Sequence, residues 1–234
     1  MQARRFAQAH GTRAKTDQVD ARMLALMDRA FSMKPQVLAS REQRDLKKLQ
    51  IARQALIKDR TRALNRQKSL TLTILKRQAK VRLTQLKNQL DQVDEAINEL
   101  LQNTPETARA HDMICSIPGL SKISAAALLT EMPELGTMNG KQVASLAGLA
   151  PMARQSGQWR GKAFIQGGRK HLRDALYMPA VVAARHNPDM KIFYDRLIKA
   201  GKQTKVAFAA IMRMLILLAN LLIKQDREWA QKRT

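Results

Sequence analysis

The run LTQLKNQLDQVDEAINEL, residues 83–100, decides the fold class. Its apolar residues Leu83, Leu86, Leu90, Val93, Ile97 and Leu100 advance by alternating steps of three and four. That is the heptad spacing of a helix packed along a partner helix. The run lies within Gln36 to Thr104, a segment free of glycine and proline and bracketed by Pro35 and Pro105. Upstream, Leu46, Leu49, Leu56, Ala63, Leu70 and Ile74 keep the same steps, with Arg53, Arg60 and Gln67 in the seam, and the phase slips near Lys76 to Lys80. The pattern predicts either two antiparallel helices turning in that slip or one long helix with a stutter, and both need a partner helix.

Charge narrows the class of partner. The 234 residues carry 42 Lys and Arg against 19 Asp and Glu, a formal net charge of +23. Such an excess repels itself without a polyanionic partner, and nucleic acid is the usual one. From Arg41 to Leu90, 15 cations face Glu42, Asp45 and Asp59, whereas Asp91 to Asp112 reverses sign. This imbalance favours nucleic-acid contact over an ordinary solvated face. With 45% hydrophobic and 4% aromatic residues, the composition favours helices around a real core. Val206 to Ile223 is apolar enough to suggest a membrane span, but Arg213 and Asn220 interrupt it and it is slightly short, so a buried helix is expected and no membrane partner. A single cysteine, Cys115, and no signal peptide after Met1 to Arg5 suit a reducing cytoplasm.

The chemistry-bearing residues lie outside the heptads. In Ala150 to Lys162, APMARQSGQWRGK, the hydroxyl of Ser156 stands beside Gly157 with Arg154, Arg160 and Lys162 around it. A serine attacks a phosphodiester when its proton is removed and the developing charge meets fixed donors. The alternative is a solvated Ser-Gly turn. Near the start, Asp17 and Asp20 are three apart on an expected helix, so both carboxylates could hold one divalent cation, or Asp17 could cap the helix with Asp20 facing its dipole.

Two further stretches suit phosphate. Ile117-Pro118-Gly119-Leu120-Ser121 joins a short apolar helix to one expected near Ser124, either as a helix-hairpin-helix-like element gripping a phosphate through Gly119, Ser121 and Lys122, or as a plain corner in a core. Serine stands where that module carries its second glycine, so a less tight turn is expected. Gly167-Gly168 opens another helix with Arg169, Lys170 and Arg173 at its beginning. Lys202 and Lys205 form a second basic turn. His171 and His186 have no ligand-spaced partner, and no zinc site is expected.

With Lys15-Thr16-Asp17, Asp20-Ala21, Ile117-Pro118-Gly119, Leu146-Ala147-Gly148-Leu149-Ala150-Pro151 before Ser156-Gly157, and Gly167 followed by Leu172-Arg173 and Leu176, the chain resembles the DEDD-type transposases, the family of the Piv-like invertases and "IS one-ten" insertion-sequence enzymes. The motifs keep the family's order from Lys15 to about Leu218. The resemblance implies a RuvC-like nuclease domain, a coiled coil and a C-terminal transposase domain, with Mg²⁺ held by four acids and a serine that cleaves and rejoins DNA. It matches Asp17 and Asp20 to the last two acids and Ser156 to the serine. It further implies DNA as partner, with a structured guide RNA for some members. Only 14 residues precede Lys15, so the first Asp and the Glu have no counterpart. The chain is therefore expected to be an N-terminally truncated copy, or a fragment read from a late start, that does not transpose DNA unaided.

The fold expected is mainly α. It comprises a remnant of the nuclease domain (1–35) with its sheet largely missing, a basic coiled coil (36–104), and a compact helical C-terminal domain (105–234) with the helix-hairpin-helix-like element. An unpaired heptad seam implies a homo-oligomer. The leading function is DNA strand cleavage and rejoining in transposition, with Ser156 as nucleophile and Asp17 and Asp20 as metal ligands. The alternatives are a catalytically inactive DNA-binding fragment that competes with an intact transposase, and a sequence-independent architectural protein.

Overall fold

The computed structural model describes residues 2–12, 16–32, 40–153, 155–156, 159–161 and 163–230. The chain divides into two compact units, Met1–Ser40 and Arg41–Thr234. In the first, α1 (Gln2–Ala9) packs against α2 (Asp17–Phe31) through an edge-on contact of Phe6 with Phe31. Thr16, not Asp17, caps α2: its side chain accepts from the Val19 amide at 3.3 Å. Asp17 thus becomes the first helical residue, where its charge meets the dipole. Among the described residues of this unit there is no strand.

The second unit begins with α3 (Arg41–Gln67) and α4 (Thr73–Gln102), two helices packed antiparallel. Of the two arrangements that the heptads allow, the chain adopts the hairpin, and the seam finds its partner within the same chain. The turn falls at 68–72 rather than at Lys76–Lys80. The reason is local: KRQAK at 76–80 is made of good helix formers, whereas Ser69, Thr71 and Thr73 are poor ones. The Ser69 hydroxyl and amide both donate to the Arg66 carbonyl and stop α3 there.

Six helices complete the unit: α5 (Pro105–Cys115), α6 (Lys122–Glu131), α7 (Gly140–Leu146), α8 (Lys170–His186), α9 (Pro188–Lys199) and α10 (Thr204–Lys224). Proline opens α5 and α9, where its missing N–H costs nothing. Asn139 closes a capping box with Gln142 at α7. The stretch that looked like a membrane span is α10, the central core helix. Ile211, Leu215, Ile216, Ala219 and Leu222 are buried in a helix that packs on α5, α7, α8 and α9. Its polar interruption Asn220 is satisfied, accepting from the Gly136 amide at 2.8 Å and donating to the Met138 carbonyl at 3.0 Å. A smaller cluster of Leu46, Ile97, Leu101 and Ala126 mounts the base of the hairpin on α6. Beside it Lys47 pairs at 2.6 Å with the buried carboxylate of Glu131.

Candidate active site

Between α7 and α8 the chain leaves the core as a narrow β-hairpin, the only sheet structure among the described residues. At its base β1 (Pro151–Met152) pairs antiparallel with β4 (Phe164–Ile165), with Pro151 opposite Ile165 and Met152 opposite Phe164. Nearer the tip β2 (Gln155–Ser156) pairs with β3 (Trp159–Arg160), with Ser156 opposite Trp159. Between the two ladders lie two residues on the outgoing strand and three on the returning one. The two ladders are thus offset by one residue in register. Ser156 is therefore the last paired residue before the tip. Arg154 and Lys162 lie outside the described residues, and for Ser156 and Arg160 the backbone alone is described.

The hairpin is clamped where it joins the core. Gly148, at φ +67°, and Gly168, at φ +63°, meet backbone to backbone, so that a Cβ on either would clash with the other's strand. The Arg173 guanidinium donates across this junction to the carbonyls of Ala147 and Gly167, and the Arg169 amide donates to Leu146 O at 2.9 Å. Arg169 reaches the other way: Nη2 and Nη1 hold both carboxylate oxygens of Glu134 at 2.6 and 2.8 Å, and Nη1 also donates to Glu131 O at 2.6 Å. This bond to Arg169 holds the Glu134 carboxyl below the usual range and raises the Arg169 guanidinium in turn. Lys170 pairs with Asp174 at 2.8 Å. Of the three cations expected at the start of α8, two thus brace the hairpin's foundation.

At the α5–α6 corner, α6 begins at Lys122, two residues earlier than expected. Ser121 sits at φ −96° and caps it, accepting from the Ser124 amide at 3.3 Å, so no second glycine is needed. Gly119, at φ +108°, lies so close to α8 that a Cβ would stand 2.7 Å from that of Ala183. The buried Asn187 side chain donates to Pro118 O at 3.3 Å. Lys122 is exposed, while its carbonyl accepts Nε2–H from the buried His111 at 3.1 Å. Burial raises the neighbouring Cys115 thiol above its ordinary value.

Asp17 and Asp20 lie in the first unit, both exposed in the first turn of α2. Two carboxylates there fit a hydrated Mg²⁺, which binds through one or two carboxylates and completes its shell with water and substrate phosphate. Among the described residues there is no cluster of three or more His, Cys, Asp or Glu placed to hold a metal. Sequence reasoning missed Glu134 and Asn187, because the Arg169 guanidinium and the Pro118 carbonyl that they bond lie far away in sequence.

Comparison with known proteins assigns both units. A model of the "Transposase IS116/IS110/IS902 family" matches residues 111–195, and a DEDD transposase model matches 1–77. The "Pilin gene-inverting protein" of Moraxella bovis is 30% identical over 97% of this chain and 71% of its own length. That of Moraxella lacunata is equally similar. An IS110 "uncharacterized 43.6 kDa protein" of Streptomyces coelicolor is 30% identical over 57% of this chain and 33% of its own. The hairpin and its clamp fall inside the first matched region, and the chain belongs to the IS116/IS110/IS902 family of insertion-sequence transposases, proteins of DNA recombination.

Proposed function

We propose that Ser156 is the nucleophile with which this transposase cleaves and rejoins DNA strands. The observation that carries the reading is the double clamp of Gly148 on Gly168, with Arg173 across it, at the foot of a hairpin whose last paired residue is Ser156. A serine that must meet phosphorus in line needs a fixed backbone, and a hairpin clamped at its foot onto a helical core supplies it. In cleavage, Ser156 Oγ gives up its proton and bonds to phosphorus while one bridging P–O bond of the DNA breaks. The departing strand oxygen takes up a proton. Rejoining is the reverse, with the hydroxyl of another strand displacing Oγ, so the phosphodiester energy is conserved.

Arg154, Arg160 and Lys162 neutralise the charge that develops on the phosphate. Asp17 and Asp20 would hold Mg²⁺, which supplies further charge neutralisation at phosphate oxygens when bound. Ser121 and Lys122, exposed at the α5–α6 corner, face DNA backbone, with Gly119 setting the turn against α8. The protein works in the cytoplasm and a structured RNA is a further partner, while the seam that implied a homo-oligomer is paired within the chain. Residues 1–35, 36–104 and 105–234 serve as nuclease-domain remnant, coiled coil and transposase domain.

The test is incubation of the chain with Mg²⁺ and labelled DNA carrying its element's ends, followed by denaturing electrophoresis. A protein–DNA band that disappears in Ser156→Ala is expected. Retarded complexes on a native gel with no covalent band from the unaltered chain would defeat the nucleophile assignment.

A further inference from the structure

The helical hairpin is electrically two objects. Its base, residues 41–57 of α3 with 91–102 of α4, carries five Lys and Arg against six Asp and Glu. Its distal part, residues 58–90, carries ten against Asp59 alone. Four of the five base cations have acidic partners: Arg41 and Lys48 on Asp45, Lys47 on Glu131, and Arg53 across the seam on Asp94. All ten distal cations are exposed, and among the described residues Arg62 is the one with an acidic partner, Asp59 at 3.3 Å. The seam shows the change in a single step. Seven residues from Arg53 toward the turn stands Arg60, and the same step along the antiparallel α4, from Asp94, arrives at Lys87. By heptad spacing, the position that holds a cross-helix ion pair at the base carries a cation on each helix one heptad further out.

On α4 the cations are also aligned. At about 100° per residue, Lys80 and Lys87 fall within about 40° of Lys76 around the helix, and the stripe is about 16 Å long. A duplex presents about ten charges over that length. Like charges at such spacing lower the stability of a free hairpin, and a polyanion laid along it reverses the sign of that contribution.

We propose that the distal part of the hairpin is a sequence-independent grip on duplex DNA, with Lys76, Lys80 and Lys87 taking phosphates along one stripe and Arg60 joining from α3. The balanced base is the mount that ties this grip to the transposase core. The inference rests on the reading of the chain as a DNA-acting transposase but does not involve Ser156.

Its test is the salt dependence of binding of the full chain to a 30-base-pair duplex of scrambled sequence. Every phosphate that a variant leaves without its cation lowers the slope of log K against log salt by about 0.9. For Lys76→Ala/Lys80→Ala/Lys87→Ala a slope smaller by two to three is expected, with at least tenfold weaker binding at 0.15 M salt. For Lys48→Ala at the base no change is expected. Lys87→Glu guards against a folding artefact, because it gives Arg60 an opposite charge. Thermal stability should hold or rise while duplex binding falls. A rise in stability with unchanged binding would overturn the proposal. So would equal weakening by Lys48→Ala, a change in sedimentation mass in place of the slope, or a single-stranded RNA of equal length that displaces the duplex at lower concentration. Failure of the Ser156 adduct with the slope intact would leave the grip standing, and the converse result would remove the grip alone.

Discussion

In the core beneath the β-hairpin, Leu172, Leu176, Ile211 and Leu215 have no exposed surface, whereas in the hairpin itself Met152 is 50% exposed and Ile165 42%. The core is determined many times over by interlocking side chains. The foot of the hairpin is fixed at the junction of Gly148 with Gly167-Gly168 and the two arginines beside it. A catalytic arm built this way takes its position from backbone contact rather than from burial. It follows that stability and positioning should be separable by substitution.

The largest effect belongs to the core. Leu176→Ala leaves a cavity in a fully buried site, and a destabilisation of about 3 kcal/mol is expected from denaturant midpoints. Any fall in the Ser156 adduct should follow the unfolded fraction. Gly168→Ala breaks the comparison from the other side. The new methyl meets the Gly148 backbone from a left-handed residue, so about 3 kcal/mol of strain must be relieved by moving the hairpin. Adduct yield should collapse at temperatures where circular dichroism still reports a folded helical core. Gly167→Ala is the control, since at φ +74° its Cβ would meet nothing within 4 Å and only the left-handed backbone is penalised, by about 1 kcal/mol. Equal adduct yields from the two alanine variants would refute the clamp.

Next in size is the Arg169–Glu134 brace. Because the folded carboxyl is held below its ordinary value, its contribution is complete above that ordinary value and fades as pH falls through the folded one. The pair is partly exposed, so about 1 kcal/mol is expected after solvent screening. Glu134→Gln should lower the melting temperature at pH 7 and flatten its fall below about pH 4.5. Parallel pH profiles in the two proteins would show that the brace carries no such contribution.

The sequence declared much of this and concealed the rest for definable reasons. The heptads of Leu83 to Leu100 announce a helix pair because periodicity is a property of neighbours. The turn at 68–72 was harder to place, since no glycine or proline marks it and the run of Ser and Thr is a weak breaker. Pro105, which closes the glycine- and proline-free segment, opens α5 in the structure. Ser156 stood out as a hydroxyl beside a glycine, but the junction that supports its hairpin did not. Nothing near Gly148 in the sequence points to Gly168, and Glu134 lies 35 residues from the arginine that it holds. The purpose of Arg169 and Arg173 was legible only as charge, and charge alone cannot distinguish a phosphate ligand from a brace.

The smallest expected effect sharpens the contrast most. Met152 and Ile165 are half-exposed apolar residues on the paired base of the hairpin, and neither belongs to a core cluster. If the hairpin were held by burial, Met152→Thr and Ile165→Thr would each cost what a core truncation costs. If it is held at the glycine junction, threonine suits an exposed strand, and each change should lie within about 0.5 kcal/mol of zero. Thermal melts of the two variants check this, and adduct yield should be unchanged alongside. A combined destabilisation above about 2 kcal/mol would mean that the strands at 151–152 and 164–165 carry stability themselves, and the clamp would then share the work of aiming Ser156 with the ladder above it.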